Sequence, residues 1–181
     1  CQYRKYWSNE NVIKTIKNLK DLNNQILKDI PKKYENFDSI LGEPLFINQF
    51  KFAKFIKKNF IKIIKNPFLL FDKKKRNIKF HFDLMHLDGN LNKALDLMDK
   101  RDRSDFSEYL NTESSANLWN LFCCKSPKLL EKWYETVFDW LFKCEKIFGF
   151  KDLKEYETGR MYAYLAERYL PFWFKKYSKT R

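Results

Sequence analysis

Apolar residues recur at three- and four-residue spacing through most of the chain, so helices dominate the expected fold. Val12, Ile13, Ile16, Leu19, Leu22, Ile26 and Ile30 share one helical rhythm, with Ser8 placed as N-cap and Pro31 as stop. Residues 1–7 read as a strand end or a loop. Two short apolar runs break the rhythm and predict buried strands: "FDSIL" at 37–41, followed by Gly42 and Pro44, and "LWNLFCC" at 118–124. A helix follows Gly89 through Leu91, Leu95 and Met98, and the charge-mixed stretch 99–111 comes after it. Ser126–Pro127 sets a cap and a first-turn proline for a helix ending near Phe148 at Gly149. A last helix is predicted near 154–176. No internal repeat or flexible linker interrupts the pattern, so one compact unit is expected over 1–181.

Residues 50–71 depart from the ordinary amphipathic pattern. On a helical wheel Lys51, Lys54, Lys57, Lys58, Lys62 and Lys65 fall in one sector. Phe52, Phe55, Ile56, Phe60, Ile63 and Ile64 fill most of the opposite one, Ile61 being the exception. No acid interrupts 51–65. Such a helix either lies in the headgroup plane of an anionic membrane or packs on a core with its lysines in water.

Charge widens the set of partners to consider. The net charge is +13 with 44% hydrophobic and 18% aromatic residues, which excludes a disordered polar chain. It favours anionic partners: nucleic acid, phosphorylated metabolites or an acidic membrane surface. The four cysteines contain no C-x-x-C and the only histidines are His81 and His86, so a zinc site is not expected. Cys123 and Cys124 would point to opposite faces of a strand and read as small buried hydrophobes, free thiols in a reducing compartment. No apolar run is long enough to span a bilayer and no signal peptide is visible.

No Gly-rich phosphate loop and no G-x-S-x-G motif occurs, so attention passes to polar residues in apolar company. In "YRKYW", Arg4 and Lys5 stand beside Tyr3, Tyr6 and Trp7; the cations can neutralise a diphosphate and the rings can stack on a base or sugar. The alternative is a basic surface turn. In "HLD", Asp88 can act as a general base and His86 as an orienting donor, or Asp88 can simply cap the helix starting near Asn90. Asn120 sits within an apolar strand pattern and must hold either backbone or ligand. Arg160 and Glu167 lie on one helix face with Arg168 adjacent. Buried, they form an ion pair; in a cleft, Glu167 accepts a proton and the arginines hold phosphate.

Together these pieces resemble a family of bacterial capsular and exopolysaccharide glycosyltransferases, long filed as a domain of unknown function. The matching motifs are "QYRKYW", "FDSIL", His86 with Asp88, "NLFCCK", "WYETVFDWLFKCEK", and "RMYAYLAER" with the tail "FWF". The likeness covers most of the chain outside roughly 45–79 and is most specific from Asn120 to Trp173. Gln2 stands where the family usually has His, and Ala163 where it has Gly; 50–71 looks like a basic amphipathic insertion.

The resemblance implies a helix-rich α/β fold, part of a GT-A-like, Rossmann-like glycosyltransferase with a small central sheet and long C-terminal helices. It implies that the nucleotide-holding half precedes "QYRKYW", so the chain is expected to begin inside the fold as its C-terminal portion. The implied reaction transfers a sugar from a nucleoside-diphosphate sugar to a growing, lipid-linked capsular or surface glycan at the cytoplasmic membrane face. Asp88 and Glu167 are candidate bases, His86 is a candidate catalytic donor beside Asp88, and Tyr3, Arg4, Lys5, Asn120, Arg160 and Arg168 are candidates for the substrate. A divalent metal such as Mg or Mn would fit the chemistry, but no Asp-x-Asp motif is visible and no ligand is assigned. The rival expectations are a non-enzymatic basic helical module for nucleic acid or a partner protein, and an inactive acceptor-side fragment; nucleic acid is disfavoured because no recognised motif accompanies the charge.

Overall fold

The computed structural model describes residues 7–8, 18–47, 60–61, 63–65, 67, 76–86, 89–149 and 160–181. Over these residues the chain is a helix-rich α/β fold with a small strand set and long C-terminal helices. The helices are α1 (Leu19–Gln25), α2 (Ile78–Met85), α3 (Asn90–Asp96), α4 (Lys100–Thr112), α5 (Pro127–Phe148) and α6 (Met161–Tyr177). The strands are β1 (Ser39–Leu41), β2 (Leu45–Phe46), β3 (Ser115–Ala116) and β4 (Phe122–Cys124).

Local chemistry explains where these elements start. Asn18, Asn77, Asp99 and Ser126 each accept a backbone N–H of the first turn of α1, α2, α4 and α5. Gly89 caps α3 with φ 88°, and Gly149 ends α5 with φ 59°, a region that glycine enters without steric cost. The Asn18 cap corrects the first predicted helix. Ser8 pairs with Ile26 as an isolated bridge, α1 ends at Gln25, and Pro31 instead leads a single 3-10 turn, Lys32–Tyr34.

β1 is buried along its whole length and sits between two partners. On one side β4 pairs antiparallel, Ile40 opposite Cys123. On the other the C-terminal segment runs parallel: Leu41 N–H donates to Arg181 O at 2.8 Å and Arg181 N–H to Ser39 O at 3.1 Å. β2 pairs antiparallel with β3. The predicted strand over 118–124 therefore shrinks to Phe122–Cys124. Asn120 is not in it: it stands exposed in a turn with left-handed backbone.

The core is aromatic and lies where α4, α5 and α6 meet. α5 buries Trp133, Val137, Trp140 and Cys144, one face at helical spacing. α6 is buried from Glu167 to Phe174. Tyr169 packs against Phe106 at 5.1 Å and Trp133 at 5.7 Å between ring centres, and Trp133 meets Trp173 at 5.4 Å. Trp140 Nε1–H donates to Ala94 O at 2.7 Å and ties α5 to α3.

Cys123, Cys124 and Cys144 are free thiols; the first two are half-buried, whereas Cys144 is fully buried. Of the segment 50–71, Phe60, Ile61 and 63–65 are helical; Ile63 is buried while Phe60 and Ile64 are exposed. The rest of 51–65 apart from these lies outside the described residues. Among the described residues no helix is long and apolar enough to cross a membrane.

Candidate functional site

α6 carries Arg160, Tyr164, Glu167 and Arg168 along one face, spaced to line up over two turns. Glu167 and Arg168 are buried, at 6% and 2% exposure. Arg168 Nη1 donates to Glu167 Oε2 at 3.4 Å, and Arg168 Nη2 meets His81 Nδ1 of α2 at 3.2 Å. A guanidinium only donates, so His81 Nδ1 is the acceptor and its proton sits on Nε2. His86, at the end of α2, stacks on Tyr164 with ring centres 4.2 Å apart. The Arg160 and Arg168 guanidinium carbons lie 5.4 and 5.9 Å from the same ring. Tyr164 is thus enclosed by two cations and an imidazole.

Burial sets the proton affinities here. It pushes the Glu167 carboxyl up, opposed by Arg168, by Arg160 and, least, by the Trp119 backbone amide. It pulls the Arg168 guanidinium down, opposed mainly by Glu167. Pro171 stands inside α6, four residues after Glu167. A proline four residues on has no N–H for the Glu167 carbonyl, which loses its helical partner.

The Trp119 backbone amide lies near Glu167. Trp119 forms one wall of an open cleft of about 920 Å³. Trp7 and Tyr34 add two more aromatic residues, and Lys28, Lys33 and Arg181 supply cations. Trp7 is fixed there because its carbonyl accepts Leu27 N–H at 2.8 Å. Gly42 and Leu121, joined by an N–H···O bond of 2.8 Å that continues the β1–β4 ladder, also line the cleft.

Of the residues singled out in the sequence, the structure brings His86, Arg160, Glu167 and Arg168 into one cluster. The Glu167–Arg168 alternative resolves to the buried ion pair. Asn120 stays outside the cluster, but its neighbour Trp119 joins it. Tyr3, Arg4, Lys5 and Asp88 lie outside the described residues; α3 is capped by Gly89. Periodicity missed His81 as a partner of Arg168, because the two are 87 positions apart. It also missed Tyr34, Lys28 and Lys33, which no spacing rule connects to Trp119. Among the described residues no three His, Cys, Asp or Glu side chains converge as a metal site requires, so no ligand is assigned to a metal.

A family model described as a domain of unknown function, DUF4422, matches residues 1–179. The chain belongs to the DUF4422 family. No curated protein and no solved structure matches it. The DUF4422 match takes in Trp7, Tyr34 and Trp119, the three aromatic residues of the cleft, together with the entire buried network.

One consequence for this DUF4422 chain concerns His81. Burial, then Arg168, then His86 lower its pKa from 6.5 to about 3. The unfolded chain therefore binds one more proton than the folded one between those values. Stability rises with pH through that window and is complete above it. Thermal unfolding followed by circular dichroism is expected to show a melting temperature that falls from pH 7 toward pH 4. The slope from this group approaches about 1.4 kcal/mol per pH unit. Glu167, raised in the fold, acts in the opposite sense just above its ordinary value, so the His81→Gln background isolates the imidazole. An unchanged pH slope in that variant would refute the assignment.

Proposed function

We propose that the chain is a glycosyltransferase that takes a sugar from a nucleoside-diphosphate sugar. The supporting observation is the cleft, where three aromatic residues stand among three cations that outnumber the two carboxylates of Asp29 and Glu43. Aromatic faces suit a base or a sugar ring, and cations suit a diphosphate. Trp7 is the last residue of "QYRKYW" and lines the cleft. Arg4 and Lys5, three and two positions before it, are therefore proposed as further diphosphate ligands, with Tyr3 preceding them.

In the proposed reaction the acceptor hydroxyl oxygen attacks the anomeric carbon as the bond from that carbon to the diphosphate oxygen breaks. The hydroxyl proton passes to a carboxylate, and the diphosphate leaves with its charge met by Lys28, Lys33 and Arg181. The base falls first to Asp88, next to His86. Glu167 is buried and already accepts from Arg168. A GT-A-like fold is the architecture this reading expects. The acceptor proposed is a lipid-linked capsular or surface glycan, met at the cytoplasmic face of the membrane. The all-Lys face of 51–65 supports that placement, as do the exposed Phe60 and Ile64, which suit insertion between anionic headgroups.

Calorimetric titration with a panel of nucleoside-diphosphate sugars tests the reading. Binding is expected, weakened about tenfold in Trp119→Ala, the scale of one lost aromatic stack. The +13 charge also suits nucleic acid. Tight, salt-sensitive oligonucleotide binding with no response to any nucleotide sugar would overturn the proposal.

A further inference from the structure

α5 packs one face on the core and leaves another in water. Trp133, Val137, Trp140 and Cys144 take the buried face. On the outer face Tyr134, Phe138 and Phe142 follow at four-residue spacing and stay 44%, 47% and 59% exposed. Their rings stack in series. Centres lie 5.8 Å apart for Tyr134–Phe138 and 6.0 Å for Phe138–Phe142, with planes tilted by 16° and 26°. Contacts within the chain therefore leave a row of three aromatic rings at the surface, and such a row marks an interaction face.

Charge limits what this face takes. At about 100° per residue, the sector within about 60° of Phe138 holds Glu131, Glu135 and Glu145 and no Lys or Arg. The whole chain carries +13, so the sign is reversed locally. Anionic headgroups and nucleic acid are repelled there. So is a second α5. Glu131 and Glu145 stand seven residues before and after Phe138. Antiparallel pairing about Phe138 would set Glu131 of one copy against Glu145 of the other, and parallel pairing would set each glutamate against its own equivalent.

A complementary surface stands elsewhere on the same chain. Ile63 is buried, whereas Phe60 and Ile64, four positions apart on one helix face, are 61% and 64% exposed. Lys65 beside them is exposed, and the stretch 51–65 holds six Lys and no acid. Each of the two apolar surfaces is uncovered within one copy, so neither is the other's partner inside the chain. We propose that the acid-flanked aromatic row of α5 docks the basic turn around Phe60 and Ile64 of a second copy of this chain. Apolar side chains then cover one another at the centre, and glutamates meet lysines at the rim. The two surfaces are unlike, so the contact is heterologous, and a twofold arrangement lets each copy give one surface and receive the other. The pairing does not depend on the reading of the cleft. It covers Phe60 and Ile64 in solution, so anionic headgroups compete with the second copy for them.

Sedimentation velocity of the full chain, free of lipid and nucleic acid, tests the pairing. A concentration-dependent rise in mass above that of one chain is expected at up to about 100 μM, the range of a weak interface. The Kd should rise about tenfold as salt increases from about 0.05 to 0.5 M, because the rim charges are screened. Phe138→Ala should weaken association about tenfold, the scale of one aromatic anchor.

Two charge-reversed chains decide the geometry. Glu131→Lys with Glu135→Lys reverses the receiving face, and Lys57→Glu with Lys65→Glu reverses the docking one. Each chain alone is expected to stay monomeric. A one-to-one mixture should associate again, because each reversed face then meets a matching one. Recovery on mixing also shows that both variants are folded, since an unfolded chain restores nothing. A wild-type chain of constant mass at every concentration overturns the proposal. A mixture no more associated than its components does so too. Self-association of the Glu131→Lys, Glu135→Lys chain at or above wild-type strength would assign the contact to α5 against α5 and overturn the docking of the basic turn.

Discussion

Arg168→Met is expected to lower the unfolding free energy by about 3–5 kcal/mol, the usual result of removing one partner from a buried ion pair. Arg168 is 2% exposed and links Glu167 on its own helix to His81 on α2. Its loss leaves the Glu167 carboxylate in the interior without the cation that stands beside it at 3.4 Å. The carboxyl, already raised by burial, would then bind a proton more readily, which limits the damage. The double variant Arg168→Met, Glu167→Met should recover a large part of the loss, because two apolar side chains need no partner. Urea unfolding followed by near-ultraviolet circular dichroism gives both numbers. A loss below about 1 kcal/mol for the single variant would mean that the pair is solvated and the network does not anchor α6.

Asp102→Ala is expected to cost about 3 kcal/mol by stranding several donors at once. Asp102 lies in the first turn of α4, 3% exposed, and gathers three donors from α6. Tyr169 Oη–H donates to Oδ2 at 2.5 Å, and Tyr177 Oη–H and Lys176 Nζ donate to Oδ1 at 2.6 and 2.8 Å. Burial alone would raise this carboxyl, but the bonds from Lys176, Tyr169 and Tyr177 outweigh it and hold it below its ordinary value. Without it the fully buried Tyr169 hydroxyl has no acceptor, and its ring lies at the centre of the aromatic core. Tyr169→Phe in the Asp102→Ala background removes the stranded hydroxyl and should restore about 1 kcal/mol or more; equal, additive losses in the cycle would dismiss the coupling.

The two networks explain how α6 came to be recognisable as an element while its role did not. Its helical spacing set Arg160, Glu167 and Arg168 on one face. Nothing in that spacing told whether the face met water or the interior. The answer depended on α2, which delivers His81 and His86 from some 80 residues upstream, and on α4, which delivers Asp102. The opposite case is α5. Ser126, Pro127 and Gly149 marked both of its ends because capping and left-handed termination act over three or four residues. "FDSIL" was likewise legible, since a short apolar run followed by Gly and Pro has few other solutions. The first helix is shorter than its apolar spacing predicts, because that spacing runs unbroken through Asn18, whose side chain accepts the Asp21 N–H at 2.9 Å and caps a helix that starts at Leu19.

Asn120 shows the same limit at a single residue. Apolar neighbours on both sides suggested a strand and a buried amide. In the fold the amide that is buried is Asn117, whose Nδ2 donates to Gly42 O at 2.5 Å, and Asn120 stands exposed in the turn that follows. Backbone handedness leaves little trace in hydrophobic pattern, so the turn was invisible to it.

The sequence by itself determined the helix-rich composition of the fold, the strand at β1, the limits of α5 and the family to which the chain belongs. These depend on local sterics, capping and the order of motifs, all of which act along the chain. Only the tertiary structure decided that Glu167 and Arg168 are buried partners rather than a cleft lining. It also decided that Trp7, Tyr34 and Trp119 converge on one cleft, and that Trp119 and Asn120 take left-handed backbone beside it. Those facts depend on contacts between residues tens of positions apart, whose free energies come from burial and desolvation that no local window contains.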